Sequence, residues 1–285
     1  MALLEARGLT VSYGGLYAND DIDLDCEAGK LVGLIGPNGA GKTTFIDAIT
    51  GFTPLSGGTV AFDGVDLGDK RPDTRAGMGL VRTFQSLELF EDLTVRDNLL
   101  VAAEQPKWYS FLTDIVVPSR GGRPFRDQVE VALEALGLTD LADTHPSDLS
   151  HGQRKLIGVA RALAANPKLL LLDEPAAGLD TQESKLLGRH LRGFLDLGVS
   201  LFLIDHDMGL VLNVCDYIYV LDFGKVIAHG TPAQVRADPA VIAAYLGESA
   251  GEAQAEAGVA ANRSAEAMAS QAATPQAGVS EAGNE

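Results

Sequence analysis

Apolar and polar residues alternate along 3–12 and again along 20–28, on either side of Gly14-Gly15. A period of two around a glycine pair predicts two antiparallel strands at a sheet edge. The pattern then becomes continuous. Leu31, Val32, Leu34 and Ile35 read as a strand over 30–36 buried on both faces, and Phe45, Ile46, Ala48 and Ile49 take up helical spacing. Residues 57–64 and 79–85 predict two further strands, the second ending at Gln85. From about 94 to 165 the spacing is helical, with Thr94 as an N-cap and Val129, Leu133 and Leu136 on one face. Between them lies 105–125, broken by Pro106, Pro118, Gly121, Gly122 and Pro124 and expected to be an irregular insertion. Its Trp108, with Phe111 and Phe125, reads either as local packing under a loop or as an exposed docking patch.

Beyond 167 strands and helices alternate again. The run 168–173 is a buried strand, 181–197 a helix, 199–205 an apolar strand, and 217–228 a hairpin turning at Phe223-Gly224-Lys225. A short helix follows Pro232, and the folded part is expected to close near Gly247. The remaining 248–285 is Ala, Gly, Glu, Gln and Ser with almost no large apolar side chain, which predicts a disordered acidic tail.

Charge and cysteine content narrow the class. A net charge of −17 argues against a general nucleic-acid binder, which needs a basic face. The tail carries six glutamates against Arg263, and the rest of the excess, including Asp20, Asp21, Asp23 and Asp25, reads as a solvated face or as a salt-adapted surface. Cys26 and Cys215 are too few and too isolated for a disulfide framework or zinc site, and are expected in the core as thiols. Neither a signal-peptide pattern nor a membrane-length apolar run occurs, so a cytosolic location is expected.

The chemistry begins with Gly36-Pro37-Asn38-Gly39-Ala40-Gly41-Lys42-Thr43-Thr44, a match to G-x-x-x-x-G-K-[ST] between a strand and a helix. Glycines let backbone N–H groups converge on phosphate oxygens, and the helix adds its positive end. Lys42 would reach the β- and γ-phosphates, and the Thr43 hydroxyl would ligate Mg²⁺. Leu169 to Leu172 carries two acids, Asp173 and Glu174, to the end of a strand. Asp173 suits Mg²⁺ held through water, and Glu174 suits a base that polarises the attacking water. Ser150 caps a helix that opens Ser150-His151-Gly152-Gln153, a second N-terminus fit for an anion.

With Leu149–Gln153 lying between the phosphate loop and Asp173-Glu174, the chain resembles the ATP-binding cassette (ABC) family over about residues 3–247. The resemblance implies an α/β fold, the P-loop NTPase ABC cassette with an antiparallel β subdomain and a helical subdomain over about 90–165. It implies ATP hydrolysis with Mg²⁺ in a head-to-tail homo- or heterodimer. There Ser150, Gly152 and Gln153 would meet the nucleotide of the partner, and Asp180, in Gly178-Leu179-Asp180, would face that subunit. Tyr13 would stack on adenine, Gln85 would join the Mg²⁺ shell and link to the helices, and His206 would contact the γ-phosphate and orient the water. The sequence departs from the family at His151, where glycine is usual. Permease subunits would receive the motion at Gln85 and the 87–105 region, and a solute-binding protein would act indirectly, placing the chain at the cytoplasmic face of a membrane.

Arg82-Thr83-Phe84-Gln85, the 105–125 insertion, Asp173–Leu179 and the ending Ala243–Glu248 together resemble the larger ATPase subunit of branched-chain amino-acid importers. Urea and amide importers and lipopolysaccharide exporters are the neighbouring alternatives. A soluble non-transport ABC ATPase and a P-loop kinase or GTPase fit less well. The first usually has two cassettes, a coiled coil or a basic surface, and the second has no use for Ser150–Gln153 or His206.

Overall fold

The computed structural model describes residues 2–83, 89–104 and 122–245. Gln85, Trp108, Phe111 and the tail from 248 lie outside the described residues, as do the expectations placed on them.

The alternating N-terminal segments form β1 (Ala2–Tyr13) and β2 (Leu16–Glu27), paired antiparallel across Gly14-Gly15. With β4 (Gly57–Phe62) and β5 (Val65–Asp66) they make an antiparallel sheet in the order β2-β1-β4-β5. The second sheet has six strands, β10-β9-β3-β8-β7-β6. Here β3 (Leu31–Ile35), β6 (Leu80–Arg82), β7 (Leu169–Asp173), β8 (Ser200–Ile204) and β9 (Tyr217–Asp222) run parallel, and β10 (Lys225–Gly230) returns antiparallel.

Each strand of the parallel sheet feeds two cores. Leu169 and Leu171 point into the core shared with the antiparallel sheet and α1 (Lys42–Thr50), where Phe45 and Phe202 stack at 6.1 Å. Leu170 and Leu172 point the other way, into the core formed with the remaining helices. This explains why the leucine run is unbroken: successive side chains face opposite sides, and both sides are covered. The second core holds α3 (Val95–Ala103), α4 (Gly122–Ala135), α5 (His151–Ala164), α6 (Thr181–Asp196) and α7 (Met208–Val214), while α8 (Pro232–Ala237) closes against β10. The short α2 (Pro72–Gly77) precedes β6.

Two expectations change. The strand expected over 79–85 stops at Arg82. Thr83 still donates its N–H to the Leu171 carbonyl, but its hydroxyl, not a strand carbonyl, receives the Asp173 N–H at 3.2 Å. The segment expected to be irregular as far as 125 is helical from Gly122. Pro124 is tolerated there because first-turn N–H groups need no intrahelical acceptor. Both cysteines are buried thiols, and burial pushes Cys26 up to about 12 and raises Cys215 too. No helix among the described residues is long and apolar enough to cross a membrane.

Candidate functional site

Strand register gathers the chemistry. Leu34 and Asp173 both pair with Ile204, so the C-terminal ends of β3, β7 and β8 lie abreast. The loop after β3 is Gly36–Gly41, Glu174 follows β7, and Asp205-His206 follows β8. Ligands of open parallel sheets bind at such carboxyl ends.

The loop leaves no room for side chains at two points. A Cβ at Gly36 would sit 2.1 Å from the Leu221 carbonyl oxygen, and one at Gly41 only 2.4 Å from that of Ala18. Both glycines also hold positive φ, 154° and 101°. The turn between β9 and β10 braces this loop. Gly224 donates to the Ala40 carbonyl at 3.0 Å and accepts from Asp20 N–H at 2.9 Å, while the buried Asn19 amide donates to the Gly41 carbonyl. Lys42 is buried and folds back over the loop, its Nζ 2.6 Å from the Gly36 oxygen and 2.9 Å from that of Pro37. Asn38, Gly39 and Thr43 are exposed, Pro37 and Thr44 are half-buried, and Ala40 is packed inside.

Side chains cap the N-termini of α3, α5, α6, α7 and α8, through Thr94, Ser150, Asp180, Asp207 and Thr231. α1 has Gly41 at that position and no side-chain cap. Its first-turn N–H groups and positive dipole end therefore face the loop mouth, ready for an anion.

Glu174 sits at φ +48°, a conformation that strains a side chain with a Cβ and must be held by its surroundings. Its N–H donates to the Ile204 carbonyl at 2.7 Å and its carbonyl accepts from Ala177. The His206 ring is more than half exposed, with Nδ1 3.8 Å from Glu174 Oε2. Asp173 is nearly buried and accepts from Arg82 at 2.8 Å. Its carboxylate thus already receives a cation. Among the described residues no cluster of His, Cys, Asp and Glu could hold a metal alone. One carboxylate and one hydroxyl, Asp173 and Thr43, fit a hard cation that arrives with phosphate oxygens, the usual habit of Mg²⁺.

Ser150, Gly152, Gln153 and Asp180 form a second group, at the N-termini of α5 and α6. Ser150 Oγ accepts from Gln153 N–H, and Gln153 Oε1 accepts from Ser150 N–H. That reciprocal cap leaves the first-turn N–H groups of His151 and Gly152 without an intrahelical acceptor. Asp180 caps α6 by accepting from Gln182 and Glu183. Gly152 must lack a side chain, since its Cβ would lie 2.4 Å from Glu183 Oε1. The His151 ring is exposed and lies against Gly178. Tyr13 is 56% exposed at the end of β1.

Three residues that sequence reasoning passed over organise the site. Asp205 is fully buried and accepts from Ala176 N–H at 3.0 Å and Asp207 N–H at 2.9 Å, tying the loop after Glu174 to the loop holding His206. Lys155, buried on α5, donates to the Ala177 carbonyl. Burial lowers its pKa, against the pull of Asp205 and Glu174. Arg82 joins Asp173 to Asp47 on α1. Asp205 and Lys155 had signals: an acid ending an apolar strand, and a cation in the buried stripe Gly152, Lys155, Val159.

Comparison with known proteins identifies the family. The family model described as ABC transporter matches residues 19–177, and that described as branched-chain amino acid ATP-binding cassette transporter matches 225–251. The high-affinity branched-chain amino acid transport ATP-binding protein BraF of Pseudomonas aeruginosa is 40% identical over 253 residues, 87% of this chain and 98% of that protein. LivG of Escherichia coli K12, of the same description, is 39% identical over 251 residues, with the same coverage. A crystal structure of the ADP conformation of an ATP-binding cassette of an ABC transporter superposes with a TM-score of 0.75, at 32% identity, covering 87% of this chain and all of that one. The chain belongs to the ABC transporter family, as an ATP-binding cassette of the kind whose ATPase activity is coupled to transport.

Proposed function

We propose that this chain is the ATP-hydrolysing subunit of an ABC importer that takes up branched-chain amino acids or a related small polar solute. The observation that carries the reading is likeness along nearly the whole folded length to BraF and LivG, joined by the separate branched-chain match at 225–251. Residues 3–247 are the cassette in this reading, with a helical subdomain over about 90–165.

The site roles in this reading are those the motifs and the family resemblance suggest. Residues Gly36 to Thr44 cradle the phosphates, Lys42 leaving its two carbonyls for phosphate oxygens. Asp173, Thr43 and Gln85 would hold Mg²⁺, which would supply charge neutralisation on the phosphates. Glu174, held at the rim by its N–H bond to the Ile204 carbonyl, polarises the attacking water, and His206 beside it orients that water toward the γ-phosphate. Tyr13 stacks on adenine. Ser150, Gly152, Gln153 and Asp180 serve the nucleotide of a second cassette, so ATP bridges two subunits and hydrolysis releases them. Permease subunits at the membrane receive that motion, and a solute-binding protein delivers the cargo to them.

The test combines two variants. Lys42→Ala should abolish productive ATP binding, and Glu174→Gln should bind ATP and accumulate as an ATP-dependent dimer in size-exclusion chromatography. Rapid turnover by Glu174→Gln would remove it as the base. Co-purification with permease subunits from native membranes, followed by uptake of labelled leucine against urea, decides the solute.

A further inference from the structure

Arg82 ends β6 at the rim and has two acid partners on two other elements. Its Nη1 lies 2.5 Å from Asp47 Oδ1 on α1, and its Nη2 lies 2.8 Å from Asp173 Oδ2 at the end of β7. The arginine side chain is 8% exposed and that of Asp173 10%, so solvent screens this pair weakly, while Asp47 is 31% exposed. The planar fork of arginine suits such a bridge, and a lysine could not span it in the same way. One positive charge is thus divided between two carboxylates.

We propose that Arg82 is a positioning residue which tunes how strongly Asp173 draws the cation that accompanies the nucleotide, with Asp47 setting how much of Arg82's charge reaches Asp173. This rests on the reading of Asp173 as serving that cation. A guanidinium beside a carboxylate holds it in one orientation and also repels a second cation. Removing the guanidinium charge therefore strengthens the draw on Mg²⁺. Neutralising Asp47 gives Asp173 the whole of Arg82 and weakens it. The two substitutions act in opposite directions, which a purely structural bridge would not produce.

The experiment titrates the non-hydrolysable analogue AMP-PNP into the full chain by calorimetry, once with Mg²⁺ and once with EDTA, and reads the ratio of affinities. Arg82→Gln should raise that ratio and Asp47→Asn should lower it, each by about three- to tenfold. Movement in the same direction, or no movement, overturns the proposal. Should Arg82→Gln fail to fold, the half-exposed Asp47→Asn decides alone, and an unchanged or raised ratio overturns it. Asp173→Asn is the control for the underlying reading. If it keeps the wild-type ratio, Asp173 does not serve the cation and the functional assignment fails there, apart from Arg82.

Discussion

Lys155 shows how one buried charge can join two parts of a cassette. Its ammonium leaves α5 to reach the Ala177 carbonyl, in the loop between Glu174 and Asp180, while Asp205 holds the neighbouring Ala176 N–H. The loop is therefore suspended between a cation from the helices and an anion from the end of β8. Lys155→Met should lower the rate of ATP hydrolysis about ten- to a hundredfold through misplaced Glu174 and Asp180. Affinity for ADP should stay unchanged, because the Gly36–Thr44 loop keeps its own supports from Gly224 and Asn19. Lys155→Arg should recover part of the rate. Steady-state kinetics beside calorimetry with ADP checks this, and a matching loss of ADP affinity would contradict it. Residues of this kind are hard to read from sequence. Lys42, Asp173, Glu174 and His206 stand in recognisable local patterns, whereas Arg82 meets Asp173 because the sheet order places β6 beside β7, and meets Asp47 reaching across from α1.

At the scale of elements, period and punctuation carried most of the information. The β1–β2 hairpin, the dual-faced leucine strand, the Thr94 cap and the Phe223-Gly224 turn all follow from local chemistry. Tertiary hydrogen bonds decide where elements stop, as the Thr83 hydroxyl does for β6. Asp216 illustrates such a tie. It accepts from Leu31 N–H at the start of β3 at 2.9 Å and from Arg192 on α6 at 2.8 Å. Burial pushes its pKa up, but the Leu31 N–H and Arg192 outweigh this and hold it below the usual carboxylate range. A carboxyl whose folded pKa is depressed stabilises the protein above its unfolded value, near 3.9, and ceases to do so as pH falls through the folded value. Asp216→Asn should therefore cost about 1–2 kcal/mol in urea unfolding at neutral pH. The gap from wild type should be flat above about pH 5 and close as the medium is acidified below pH 4. A gap that widens toward acid would refute the assignment.

For the molecule as a whole, the parallel sheet is clamped between two cores, so the ends of β3, β7 and β8 form a rigid rim. At that rim the N-terminus of α1 has glycine in place of a side-chain cap. ADP in hundredfold excess over its dissociation constant should add about 2.7 kcal/mol of stability and raise the melting temperature by about 5–10 °C. Lys42→Ala should lose most of that shift in scanning calorimetry.

The other capped helices carry their stopper within the chain, through Thr94, Ser150, Asp180, Asp207 and Thr231, while Gly41 offers α1 none. If the proposed site is right, the nucleotide would be the cap that α1 lacks, a piece of the fold borrowed from metabolism. Folding stability would then follow nucleotide occupancy: backbone amides in the first turn of α1 should exchange more slowly with ADP bound than without it.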